Sequence, residues 1–184
     1  MEKLVSKLRR SLPEVKFVAG ESFYWSPQNQ QVTYIDNDDE RNHWALLHEA
    51  SHALLDHQSY NSDYELLHLE VAAWHEAKNL ARKYKIPIDE NHIQDSLDTY
   101  RDWLHQRSTC PSCSSVCFQS TQNEYRCHNC YTVWQVSNSR FCRPYRLRTV
   151  HKNKKSPGEK PQTTFAWKQL FRRSSWCVEK YDHL

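Results

Sequence analysis

His48-Glu49-Ala50-Ser51-His52 decides how this chain reads, set in a run from Asp38 to Tyr60 that holds neither Pro nor Gly. Histidines four apart share one face of a helix, so both imidazoles can reach a single ion. H-E-x-x-H on a helix is a zinc pattern. Zinc takes imidazole nitrogen at about 2 Å and, at a catalytic site, keeps one position for water. Glu49, beside the first ligand, is placed to take a proton from that water as it attacks a carbonyl.

The surroundings suit a helix there. Trp44, Leu47, Leu54 and Leu55 offer an apolar side, and Asp36 to Glu40 supply N-caps and acidic first-turn residues. Upstream, Leu4, Val5, Leu8 and Leu12 predict a short amphipathic helix that Pro13 stops. Val15–Ala19, Phe23–Ser26 and Gln31–Ile35 read as strands, the last two joined by Pro27-Gln28-Asn29-Gln30. A second long helix is expected from about Tyr64 to Tyr84, ahead of Pro87. A third, capped by Asp89, carries Ile93, Leu97, Tyr100 and Leu104 at helical spacing.

Two histidines do not complete a ligand set. The candidates downstream are His57, Glu65, His68, Glu70, His75 and Glu76. His57 fails on geometry, because five residues from His52 rotates it off the shared face, whereas Asp56 is on that face a turn further along and placed to support a ligand from behind. In the second helix Leu66, Ala73, Trp74, Ala77, Ala81 and Tyr84 form an apolar stripe with Glu70 at its middle. A carboxylate in a buried seam needs a partner. The expected partner is the metal, and the competing one is a buried Arg or a protein hydrogen bond.

Farther on, Cys110-Pro111-Ser112-Cys113 and Cys127-His128-Asn129-Cys130 form two C-x-x-C pairs. Four thiolates close a tetrahedral zinc site with no open position, which makes such a site structural. Its binding energy folds a module too small to fold on its core alone. A redox pair or free thiols are the competing readings. Cys117 reads as a small apolar residue, with a ligand swap against Cys113 left open, and Cys142 and Cys177 receive no role.

The 184 residues have room for a catalytic domain and a small module, and the 38% apolar share excludes one large core spanning the whole chain. The net charge of +3 hides a division: residues 1–100 carry −7 and residues 101–184 carry +10. Arg126, Arg140, Arg143, Arg146 and Arg148 interleave with Tyr125, Tyr131, Trp134, Phe141 and Tyr145. Such a set suits single- or double-stranded nucleic acid, with Trp134 stacking on bases. Equally, the aromatics can form the module's core and the arginines be merely solvated. There is no apolar run of membrane-spanning length and no signal peptide at the start, so a cytoplasmic location is expected. Reducing conditions there favour metal-ligand cysteines over disulfides.

The segments H-E-A-S-H-A-L-L-D-H from His48 and E-V-A-A-W-H-E-A from Glu70 to Ala77 resemble the ImmA/IrrE family of metallopeptidases. The resemblance covers about residues 15–105 and is most specific in those two segments. It implies a small zincin fold, with a short sheet packed on helices, and an endopeptidase that cleaves a helix-turn-helix repressor. Such cleavage relieves repression in DNA-damage, mobile-element or defence settings. By the same resemblance His48 and His52 are zinc ligands, Glu49 is the general base, and Glu70 matches the family's downstream glutamate. Ala50-Ser51 departs from the Leu-Gly or similar small pairs common there. Tyr60, Tyr64, His75 and Tyr100 all remain open as substrate-orienting residues.

The expectation is therefore an α+β chain. A zincin-like metallopeptidase domain occupies 1–108, a four-cysteine zinc ribbon 109–150, and a basic linker and tail 151–184. One zinc is catalytic and one structural. A substrate is expected to lie along the strand Gln31–Ile35. The alternatives are a SprT-like DNA-dependent protease, which takes a third histidine soon after the motif, and a non-catalytic nucleic-acid-binding regulator.

Overall fold

The computed structural model describes residues 1–137 and 146–149. Arg140, Arg143, Cys142, Cys177 and the expected tail 151–184 lie outside the described residues. Within them the chain is α+β, with four helices and two small sheets.

Helix α1 (Glu2–Ser11) buries Leu4, Val5 and Leu8. Strands β1 (Lys16–Ala19), β2 (Tyr24–Ser26) and β3 (Gln31–Tyr34) form the first sheet in the order β1-β3-β2. The β1–β3 pair is parallel and the β2–β3 pair antiparallel. The strand expected to receive substrate is thus the middle one. Both its edges are already paired, so it has no free backbone to offer. Among the described residues β1 and β2 are the edge strands, and β2 is the one that packs against α2.

Helix α2 (Glu40–Leu54) starts at Asp39, whose carboxylate accepts from the Arg41 N–H at 3.0 Å. Its Leu46, Leu47 and Ala50 pack with Phe17, Trp25 and Val32 of the sheet in one core. Leu54 and Leu55, expected to be buried, are exposed because the helix ends at that point. Helix α3 (Asp63–Tyr84) lies against α2 and adds Trp74, Ala77, Leu80 and Ala81 to the core. Helix α4 (Glu90–Ser108), capped by Asp89, contributes Ile93 and Leu97. None of the described helices is long and apolar enough to cross a membrane.

After α4 comes an antiparallel meander: β4 (Gln119–Thr121), β5 (Glu124–Arg126), β6 (Val133–Val136) and β7 (Arg146–Arg148). Its core is Cys110, Cys117, Tyr125, Cys127, Trp134 and Val136, with Tyr125 stacked on Trp134 at 5.5 Å. This sheet meets the helices through buried polar groups. Arg107 of α4 pairs bidentately with Asp63 of α3, Nε–Oδ2 at 2.6 Å and Nη2–Oδ1 at 3.1 Å. The Tyr125 hydroxyl donates to the same carboxylate at 2.5 Å, and the Trp134 indole donates to the Arg107 carbonyl at 2.9 Å. The Arg107 guanidinium also donates to the Ser137 carbonyl.

Candidate metal centres

Facing positions of α2 and α3 bring His48, His52 and Glu70 together. His48 Nε2 lies 3.1 Å from His52 Nε2 and 3.2 Å from Glu70 Oε2. Glu70 Oε1 lies 3.8 Å from His52 Nε2. Ligand atoms about 2 Å from a tetrahedral zinc stand about 3.3 Å apart. The three side chains therefore fit a divalent cation without rearrangement.

Two features sharpen the fit. Glu70 Oε1 is buried and has no hydrogen-bond partner among the described residues, a costly state that a cation would relieve. Burial would push Glu70 upward, but the neighbouring His52 and His48 imidazoles outweigh it and hold Glu70 well below the usual carboxylate range. A carboxyl held low in this way is suited to the deprotonated state that a metal ligand requires. Among the described residues no Arg or Lys pairs with it; its ion-pair partners are the two imidazoles.

Glu49, expected to be the base, is also buried, and its Oε2 accepts from the Trp25 N–H at 2.7 Å. That donor lies on the outward edge of β2. Burial first, and then the Glu70 charge, push Glu49 well above its ordinary value, while the Trp25 N–H pulls the other way. A carboxyl poised to hold a proton is what an acid–base group requires.

One part of the surroundings differs from the sequence expectation. Asp56 is exposed and supports no ligand. His57 is buried, and its Nδ1 lies 2.8 Å from Nδ1 of His52. A continuing helix would have rotated it away, but α2 stops at Leu54 and Asp56 turns left-handed, φ 49°. A polar residue tolerant of that conformation just past the helix was the available signal. The contact is to the far nitrogen of His52, so His57 is not among the grouped ligand atoms. Of the open substrate-orienting candidates, Tyr64 and His75 are exposed, Tyr60 is half-buried, and Tyr100 is packed with Leu66 and Trp103.

Cys110, Cys113, Cys127 and Cys130 form the second cluster. Cys110 and Cys130 sulfurs are 3.6 Å apart, and those of Cys113 and Cys127 are 3.5 Å apart. A tetrahedral zinc with Zn–S near 2.3 Å needs about 3.8 Å. The two knuckles match: Ser112 N–H points at Cys110 Sγ and Cys130 N–H at Cys127 Sγ, both at 3.4 Å. Ser114 and Tyr131, each following its second cysteine, are left-handed. Cys117 packs in the core and donates to the Ser115 carbonyl, outside the cluster. Both clusters are compatible with zinc.

The expected nucleic-acid set is dispersed. Trp134 is fully buried between the sheet and α4, so it presents no ring face to a base; this corrects its assignment. Arg146 and Arg148 donate to the Thr109 and Pro111 carbonyls at 2.7 and 2.9 Å, tying β7 to the first knuckle. Arg126 is exposed.

Comparison with family models, with curated proteins and with solved structures finds no match to this chain.

Proposed function

We propose that this chain is a zinc-dependent endopeptidase in which His48, His52 and Glu70 hold the metal and Glu49 moves protons. The observation that carries the reading is the convergence of three protein donors, one of them with an orphaned carboxylate oxygen, beside a second buried carboxylate. A structural zinc takes four protein ligands, whereas three leave a position for chemistry. Bound there, the metal would polarise a peptide carbonyl and make water a nucleophile at neutral pH. Glu49 takes the proton of that water and passes it to the departing amine. A substrate strand adds to the free edge of β2, where the Trp25 N–H now occupied by Glu49 becomes available.

The substrate class follows the resemblance set out above: a helix-turn-helix repressor whose cleavage releases an operon. The cysteine cluster is read as a zinc ribbon. Nucleic-acid control through it rests on the excess of basic residues in the second half, where Arg126 is exposed and Arg140 and Arg143 lie outside the described residues. Its test is salt-dependent binding to single- and double-stranded DNA or RNA.

A second reading has a specific observation behind it. His48, the most exposed of the four residues, is only 4% exposed, as befits a metal kept for structure in a non-catalytic regulator. A SprT-like protease is less well supported, since its histidine ligand would be His57, which faces the wrong nitrogen of His52. Purified zinc-loaded protein and its Glu49→Gln variant, incubated with a neighbouring repressor and an unfolded casein, separate these readings by mass spectrometry. Cleavage by the parent and none by the variant supports the peptidase. Equal zinc content and no cleavage of either substrate by the parent rejects it.

A further inference from the structure

His57 is neither a ligand nor exposed, and its imidazole is brought to His52 by backbone geometry. Past the end of α2, Asp56 N–H donates to the Ala53 carbonyl at 3.1 Å and His57 N–H to the His52 carbonyl at 3.0 Å. With Asp56 left-handed, these are the two bonds of a Schellman turn. That turn regularly sets its last residue against the helical residue five positions back. Here the pair is His57 on His52, and an imidazole contact of 2.8 Å between Nδ1 atoms takes the place of the usual apolar one.

The chemistry of the pair has one consistent arrangement. If His52 offers Nε2 to a cation, its Nδ1 must carry the hydrogen and donate it. The Nδ1 of His57 is then the acceptor, and its own hydrogen sits on Nε2. Trp25 fixes the other side: its indole donates to the His57 carbonyl at 2.8 Å, while its backbone N–H holds Glu49 at 2.7 Å. One residue of β2 thus ties the proton-moving carboxylate and the support of a ligand together. His48 has no such bond; its Nδ1 is unpartnered among the described residues, and the ring is instead stacked on Trp74 at 4.3 Å.

We propose that His57 is a positioning residue, which locks His52 in the tautomer and orientation that deliver Nε2 to the metal. This rests on the reading of His48, His52 and Glu70 as a metal site. A buried histidine that only fills space would be replaced without loss by Phe. The test is zinc affinity at this site by chelator competition, with the cysteine cluster loaded throughout, and thermal unfolding of each variant. His57→Phe keeps a planar ring at the position and removes the acceptor. It is expected to weaken zinc by about 10–100-fold. His57→Asn places an oxygen near the Nδ1 position and restores most of that loss. A folded His57→Phe that binds zinc as tightly as the parent overturns the proposal, as does His57→Asn no better than Phe. Should His57→Phe fail to fold, exposed Asp56 decides. Asp56→Gly keeps the left-handed turn and the parental affinity, whereas Asp56→Val opposes that turn and weakens zinc; equal affinity of these two variants overturns the proposal. His52→Ala and Glu70→Ala serve as controls: if they retain this zinc, the metal-site reading itself falls, whatever His57 does.

Discussion

At Glu49, stability and chemistry pull in opposite directions. Its carboxyl is held above the ordinary value by burial and by Glu70. In the unfolded chain it titrates near 4.3, roughly the model-peptide value. Between those two values the folded metal-free chain binds the extra proton, so stability falls as pH rises through the window. Below pH about 4 both states are protonated and the penalty vanishes. Glu49→Gln removes the charge and can still accept from Trp25. It should therefore raise the Tm of the chelator-treated protein at pH 7, with the gain shrinking toward pH 4. The same variant should lose about 10²–10⁴-fold in peptide hydrolysis while keeping its zinc. A Tm gain that does not shrink toward pH 4 would show that the buried charge is not its source. Glu70 was legible in the sequence because an acidic residue interrupting an apolar stripe is conspicuous at helical spacing. His57 was not, since its role depends on where the helix stops, and a single left-handed residue leaves only a faint mark.

At the scale of elements, periodicity and caps carried most of the information. Pro13, Asp39 and Asp89 fall where the helices end or begin. At the start of α3, Ser62 accepts from the Glu65 N–H at 3.1 Å, and the Glu65 carboxylate reaches back to the Asn61 N–H at 2.6 Å. This variant of a capping box fixes the helix that carries Glu70. Ser62→Ala should cost about 1 kcal/mol in urea unfolding. A change below a few tenths would mean the box does not hold the helix start. Strand order was not legible. Nothing local says that β3 pairs in parallel with β1 and leaves β2 at the edge, because parallel pairing joins segments far apart in sequence. That order leaves β2 as an edge strand whose outward Trp25 N–H holds Glu49.

At the scale of the molecule, the cysteine-bearing sheet is joined to the helices by hydrogen bonds to a buried ion pair between α3 and α4. Asp63 and Arg107 are almost completely buried, and Tyr125, Trp134 and Gln119 of the second sheet bond to these two residues. Asp63 opens α3, about two turns before Glu70, so the two candidate metal centres share a helix support. Removing one partner of a buried ion pair costs about 3–5 kcal/mol. Arg107→Ala should lower the unfolding free energy by that amount and destabilise both sheets in a single transition. A loss under about 1 kcal/mol, or two separate transitions, would show the units to be independent. The charge division between the halves was plain in the sequence, but this junction was not. Arg107 and Asp63 look like ordinary surface charges until the fold places them together. The most direct measurement is metal content: zinc per chain in the purified parent and in Glu70→Ala, with the cysteine cluster intact in both. Two zinc ions in the parent and one in the variant are predicted. Two in both would contradict a metal held between α2 and α3 by His48, His52 and Glu70.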